Sequence, residues 1–410
     1  MSSLDNVSLP PTFNRLAWSN LAAQSAEQVA LAAAPIVAVL LLGAGEGETG
    51  ALQTALTLPF VLFAVPAGLL ADRLSRRWLM AGAEALRAAA LLAILAALWF
   101  GILGMPLLAV LGFVAVCGTV VYSVAAPALV PSLVSPTALP AANARIELAR
   151  TVAFAGGPAL GGVLVGWIGA APAFGFAAAL SILAVVLLAG LFEPTRANLT
   201  RRHPMQEIKE GAAFVFRHDL LRPVFVTQFI FNTAFFVILA VFVPYAVHEL
   251  GLSASGVGIV LGMYGAGMIV GALVATRVMR RLAFGVVIGL GPVTGLVASG
   301  VMALTTVVPT PLLAGLGFFL LGAGPILWVI STTTLRQSVT PPRLLGRVSA
   351  INIMAYGARP LGSALGAVVG AAFGAQACLY LAMAGFALQA LVILLSQAVA
   401  LSRQPEMAGD

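Results

Sequence analysis

Apolar residues run in long blocks along almost the whole chain, separated by short polar stretches. A helix needs about 20 such residues to cross the hydrocarbon core of a bilayer, where every backbone amide must be satisfied within its own segment. The blocks predict twelve helices, at roughly 16–43, 51–71, 78–101, 106–130, 146–168, 173–192, 223–247, 255–276, 284–305, 311–333, 348–371 and 376–400. The longest polar interruption, 193–222, follows the sixth block and holds Arg196, Arg201, Arg202, Lys209, Arg217 and Arg222 with Glu207, Glu210 and Asp219. The pattern therefore predicts an all-α polytopic membrane protein of two pseudo-symmetric six-helix bundles. Residues 1–192 form the first and 223–410 the second, which ends in a short tail. A linker containing an amphipathic helix, 193–222, joins them.

Composition supports the same class. Charged residues are 9% of the 410 and apolar ones 61%, against about 25% charged in a soluble domain. A disordered chain, a disulfide scaffold and a nucleic-acid binder are excluded at this level. Cys117 and Cys378 lie inside apolar blocks, so neither reads as a disulfide or metal partner. With the N-terminus inside, the inner segments hold 19 of the 21 Lys and Arg residues, and the outer loops hold none. That asymmetry orients both termini to the cytoplasm, and the formal net charge of +7 is charge facing anionic lipid. The apolar run after residue 14 is too long for a signal-peptide core.

The two halves repeat. Ala71-Asp72-Arg73-Leu74-Ser75-Arg76-Arg77 recurs 204 residues later as Ala275-Thr276-Arg277-Val278-Met279-Arg280-Arg281, closing the second helix of each half. Pro140, Arg145 and Gly157-Pro158 are matched, displaced by 202, by Pro342, Arg347 and Arg359-Pro360. Such a duplication is the mark of many secondary transporters.

On these residues the chain resembles the major facilitator superfamily. Gly68-Leu69-Leu70-Ala71-Asp72-Arg73-Leu74-Ser75-Arg76-Arg77 is similar to that superfamily's loop between helices 2 and 3. Gly157-Pro158-Ala159-Leu160-Gly161-Gly162 resembles the core of its antiporter motif. Leu139 to Ala144, Glu207 to Gly211 through Leu221-Arg222, and Leu345-Gly346-Arg347-Val348 resemble the bacterial branch that contains enterobactin exporters and macrolide efflux pumps. The likeness runs from Asn14 to about residue 400. It implies a bacterial inner-membrane exporter of a small amphipathic compound (drug, siderophore or related metabolite) that works by alternating access and exchanges its substrate for protons. Two departures stand out. The fourth span carries no charge where many proton antiporters have an Arg, and Ala144 and Ala153 stand where the longer antiporter motif has glycines.

The resemblance also implies roles. Asp72, with Gly68, Arg73, Arg76, Arg77, Arg145 and Arg347, would form a conformational gate. The Asp72 carboxylate would lie at a helix N-terminus, and Gly68 would let two backbones approach. Helices 1, 4, 7 and 10 line the cavity in this superfamily. Gln24, Gln28, Tyr122, Gln228, Asn232, Phe235, Trp328, Ser331, Tyr356 and Arg359 are the substrate-cavity candidates, with ordinary lipid-facing or packing side chains as the competing reading for those of spans 4, 7 and 10.

Two charges stand deep within spans. Glu27 is twelve residues beyond Arg15, about 18 Å along a helix, and Gln24, Glu27 and Gln28 share one face. A charge at that depth costs roughly 2.5–3.5 kcal/mol on insertion scales. Glu27 is therefore the proton-coupling candidate, or else a carboxyl that positions a neighbouring helix. Arg359 could pair with an acid, neutralise an anionic substrate or reach for the surface. Glu84 and Arg87 read as an ion pair within one helix, and Arg145, Glu147 and Arg150 as part of the inner gate.

No catalytic constellation, metal cluster or cofactor motif is present. Lys209 is the sole lysine and lacks a phosphate loop around it. His203, His218 and His248 all lie outside the spans or at an end. The expected partners are a small-molecule substrate, the proton and the lipid bilayer, with no nucleic acid, and the chain is expected to act as a monomer. The alternatives are an uptake permease or lipid flippase of the same fold, or a non-transporting sensor or scaffold, against which the cost of Glu27 and Arg359 argues.

Overall fold

A computed structural model describes residues 10–135, 138–193, 204–341 and 344–405. The described elements are helical: α1 (Pro11–Leu42), α2 (Glu46–Arg73), α3 (Arg76–Trp99), α4 (Met105–Leu133), α5 (Leu139–Ile168), α6 (Ala170–Ala189), α7 (Pro204–Arg217), α8 (Leu221–His248), α9 (Ala254–Arg281), α10 (Phe284–Leu304), α11 (Pro311–Val339), α12 (Leu345–Met354) and α13 (Ala358–Leu394). Ten described helical segments are long and apolar enough to cross a membrane. One of them, Ala355–Leu394, breaks at Gly374 with φ 79° and so supplies two spans. The 28-residue α2 completes twelve, and the bundles are those of a polytopic all-α protein.

Local chemistry sets the ends. Pro11 occupies the first turn of α1, where its missing amide costs nothing. Gly43 closes the helix at φ 68°, with the Ala44 amide reaching back to Ala38 O at 2.9 Å. Ser75 caps α3 by accepting from the Trp78 amide. Pro360 has no amide to donate to Tyr356 O, and the preceding residues Ala355–Gly357 tighten into a 3-10 turn that divides α12 from α13.

The helices form two compact units. One gathers the described residues of 1–45, 55–197 and 251–262; the other gathers those of 46–54, 198–250 and 263–410. Each unit therefore contains the first turns of a helix whose remainder belongs to the other: 46–54 of α2 and the 254–262 part of α9. In the first unit α1 packs on α4, α5 and α6, and α3 packs on α4 and α6. In the second, α8 lies along α13, α10 packs on α11 and α13, and α7 rests on α12.

Candidate functional site

At the basic end of the first unit the motif arginines cap helix ends. Arg76 donates through Nε to Ala71 O at 3.4 Å and through Nη1 to Ala128 O. Arg77 Nη2 donates to Ala189 O at 2.7 Å, and Arg15 Nη1 donates to Gly190 O. Ala71, Ala189 and Gly190 lie at the ends of α2 and α6, where terminal carbonyls lack intrahelical amides and a cation meets the negative end of the helix, while Ala128 lies between Pro127 and Pro131 near the end of α4. Glu193 completes the arrangement from the opposite sign. It accepts from the amides of Arg76 and Arg77 at 3.2 and 3.0 Å and from Ser75 Oγ, covering the first turn of α3. The sequence hides this role, because Glu193 reads there as the first residue of the linker. Asp72 falls in the last turn of α2, but its side chain lies outside the described residues. Arg73 and Arg145 are exposed, and Glu147 pairs with Arg150 on the surface of α5. Among the described residues, a Cβ at Gly68 would meet nothing within 4 Å.

The glycines of α5 do have tight neighbours, on two faces. A Cβ at Gly157 would stand 2.3 Å from Gln28 Cβ, and one at Gly161 would stand 2.9 Å from Val29 O. These two residues let α5 cross α1 at Gln28 and Val29, directly after Glu27. On the other face a Cβ at Gly162 would come within 2.5 Å of Gly258 Cα. Pro158 is inside α5. Gln28 is buried by this crossing, whereas Gln24 and Glu27 are half-buried.

Behind α1 lies a polar cluster that joins three helices. Arg87 is 2% exposed and Glu84 0%. Arg87 Nη1 donates to Glu84 at 3.0 Å and to Ala23 O at 3.0 Å, and Nη2 donates to Thr119 Oγ1 at 2.6 Å. Arg87 thus pairs with Glu84, as the spacing predicts, and also ties α3 to α1 and α4. Ala23 O is the carbonyl that would accept the Glu27 amide in a regular helix. Tyr122, 2% exposed, meets Ser19 Oγ at 2.8 Å, a second polar tie between α4 and α1. A separate apolar cavity of about 550 Å³ between α2, α3 and α4, lined by Phe63, Trp78, Leu86 and Val121, contains none of the candidate residues.

In the second unit four candidates come together. Arg359 Nε donates to Asn232 Oδ1 at 3.2 Å, and its guanidinium lies over the rings of Tyr356 and Phe236, at 4.3 and 5.4 Å. Gln228 Nε2 reaches Asn352 O at 3.5 Å. A Cβ at Gly362 would stand 2.2 Å from Thr233 O, so α8 and α13 are in close contact next to this cluster. Phe235 stacks on Phe231 and Tyr264, at 5.7 and 5.1 Å. Trp328 and Ser331 stand elsewhere: Trp328 is packed with Phe284, Ile288 and Ile393, and Ser331 Oγ donates to Trp328 O within α11.

Arg347 ion-pairs with Glu210 of α7. A Cβ at Gly211 would stand 2.8 Å from Arg347 O, and Val215, Leu221, Val348 and Ile351 share one apolar cluster. Helix α7 is therefore seated on α12.

Comparison with known proteins agrees with this architecture. The family model described as Major Facilitator Superfamily matches residues 16–360. A protein of Sinorhizobium fredii described as an uncharacterized MFS-type transporter, y4rN, is 32% identical over 254 residues, 59% of this chain and 60% of that protein. The chain thus aligns with less than two thirds of that relative's length. Among solved structures, the nucleoside transporter NupG in a D323A form superposes with a TM-score of 0.76 at 14% identity, covering 93% of this chain and 99% of that one. A bacterial homologue of the iron transporter ferroportin gives 0.74 at 17% identity over 94% and 98%. A POT family transporter in complex with a conjugated peptide gives 0.73 at 11% over 93% and 95%. At such identities the likeness is one of fold. With the family match spanning most of the chain and twelve spans in place, the protein belongs to the Major Facilitator Superfamily of transporters.

Proposed function

We propose that the chain is a secondary exporter of the bacterial inner membrane, with both termini cytoplasmic, acting as a monomer. It moves a small amphipathic compound outward by alternating access and takes protons inward in exchange. The observation that carries this reading is Glu27. It is a carboxyl deep in α1, half-buried, on the turn that α5 presses from one side at Gly157 and Gly161 and that Arg87 holds at Ala23 O. A carboxyl at that depth is retained at a cost of a few kcal/mol, and reversible protonation is the use that repays it. The Lys and Arg asymmetry supports the orientation. The arginines that cap α2 and α6 and tie α3 to α4, with Glu193 on α3, support a first unit that moves as a rigid body.

The test is accumulation in a bacterial host deprived of its own efflux pumps. Cells expressing the chain should hold less of an exported compound than control cells, and Glu27→Gln should abolish the difference without reducing the amount of protein in the membrane. Higher accumulation in expressing cells would instead establish uptake.

A further inference from the structure

We propose that the groove between α2, α3 and α4 binds one acyl chain of an anionic phospholipid, whose headgroup meets Arg73 and Arg77 at the basic end of the first unit. The site stands apart from the export reading, since it holds for a transporter working in either direction.

The groove is the apolar cavity of about 550 Å³ described above, and its lining belongs to the first unit. Leu74, Ser75 and Trp78 line one end, and Phe63, Leu86 and Cys117 line the other. The contact of Arg76 with Ala128 O sets the direction of α4: its basic end lies there, and Cys117 is eleven residues deeper. Trp78 and Leu86 are eight residues apart on α3, about 12 Å at 1.5 Å per residue. That is close to one leaflet of hydrocarbon, half of a core about 30 Å thick. Phe113, one turn before Cys117 on α4, meets the Phe63 ring edge-on at 6.2 Å and joins α2 to α4 at the deep end. The end beside the arginines is open, with Leu74 50% and Trp78 59% exposed. An acyl chain that enters there comes from the leaflet on the basic side.

Gly82 gives the groove its depth. It stands inside α3, where glycine weakens a helix. Among the described residues a Cβ there would meet nothing within 4 Å, whereas one at Gly118 of α4 would stand 2.4 Å from Ala83 O. Close packing of α4 on α3 requires Gly118, and no such contact requires Gly82. Trp78, Gly82 and Leu86 fall at four-residue spacing on one helix face, so the glycine is a notch between two large apolar side chains. A methylene chain laid along this face would sit in that notch.

Charge at the open end gives the class of lipid. The Arg77 guanidinium lies over the Trp78 ring at 4.4 Å, which puts a cation directly on the groove wall. Arg73 is exposed in the last turn of α2 and immediately precedes Leu74 of the lining. With Arg15 and Arg76, four arginines stand at this end against Asp72 and Glu193. The Glu193 carboxylate accepts from the first turn of α3. No charged side chain lines the groove itself among the described residues. An apolar slot with an excess of cations at its mouth fits an acyl chain beneath a headgroup of net negative charge. A zwitterionic lipid offers the same acyl chain but adds a cation of its own, which the arginines disfavour.

The experiment uses the full chain in phosphatidylcholine nanodiscs that contain a minor fraction of a photoreactive lipid. Phosphatidylglycerol and phosphatidylcholine with the same diazirine-bearing acyl chain are compared, and crosslinked peptides are identified by mass spectrometry. The glycerol lipid should label peptides containing Leu86 or Cys117 about ten-fold more than the choline lipid does. Gly82→Trp fills the notch and should abolish that labelling, whereas Gly82→Ala should keep it. Arg73→Gln, an exposed change that leaves the lining intact, should lower the headgroup preference about five-fold while both lipids still label. Equal labelling by the two lipids in the wild type would overturn the proposal and reduce the contact to ordinary boundary lipid. Labelling by the glycerol lipid that survives in Gly82→Trp would overturn the groove as the site, and a preference unchanged in Arg73→Gln would overturn the headgroup contact.

Discussion

Replacing Arg87 by Met removes the cation of a fully buried pair while keeping an unbranched apolar chain of similar length. Three ties are lost: Glu84, Ala23 O and Thr119. Glu84 is 0% exposed, so its carboxylate would remain in a medium that cannot solvate it. Breaking one side of such a pair costs about 3–5 kcal/mol. Replacing both partners, Glu84→Gln with Arg87→Met, removes the stranded charge and should return to within about 1–2 kcal/mol of the wild type. The coupling energy between the two sites is then on the order of 2 kcal/mol or more. For a cooperative unit of some 200 residues, 1 kcal/mol moves the midpoint by roughly 2–4 °C, so the single variant should melt on the order of 10 °C lower. Circular dichroism melts of the purified protein in one detergent, for wild type, both single variants and the double variant, read this directly. An Arg87→Met variant that melts with the wild type would refute the claim that Arg87 joins α1, α3 and α4, and a double variant as damaged as Arg87→Met would refute the stranded Glu84 charge as the source of the cost.

Other expectations follow from particular contacts. Gly157→Val should separate α5 from α1 at Gln28, where a Cβ alone already stands 2.3 Å away. It should cost about 1–3 kcal/mol, read as a lower melting midpoint, while Gly156→Ala, where a Cβ meets nothing within 4 Å, should not. Glu193→Gln should weaken the cap on α3 by about 1–2 kcal/mol and speed hydrogen exchange at the amides of Arg76 and Arg77; unchanged exchange would contradict the cap. His218 accepts from the Leu220 amide through Nδ1 at 3.1 Å. Burial lowers the His218 pKa below the ordinary 6.5, with Asp219 opposing. A depressed histidine stabilises the fold above its unfolded value, and that contribution is lost as pH falls from about 6.5 through the lower folded value. The corner between α7 and α8 should therefore loosen on acidification below pH 6.5, seen as faster exchange at Leu220. The same pH dependence in His218→Gln would exclude this residue as its source.

Much of the architecture was legible because membrane spans are encoded by composition. Twelve apolar blocks, one basic face and a duplicated motif needed no tertiary information. The arginines of that motif were visible as charge, but their work as caps was not, since the carbonyls they reach belong to residues 52 and 112 positions away. Glu84 and Arg87 were legible as neighbours on one helix, while the reach of Arg87 to Ala23 and Thr119 depends on how three helices cross. Trp328 reads equally as a cavity residue or a packing residue in sequence, and its place beside Gly291 depends on α10, so it leaves no trace in its own segment. Arg359 was conspicuous by depth alone. Its amide and ring partners came from α8 and from one turn before it, and Pro360, adjacent in sequence, set the turn that positions it.

The central claim is proton-coupled export through a carboxyl on α1. Its most direct measurement is proton movement in inverted vesicles holding a preformed acid-inside gradient, followed by the quenching of a pH-sensitive amine dye. Adding an exported amphipathic compound to wild-type vesicles should dissipate the gradient saturably, whereas vesicles carrying Glu27→Gln should behave as empty ones. Equal dissipation in wild type and Glu27→Gln would contradict the account.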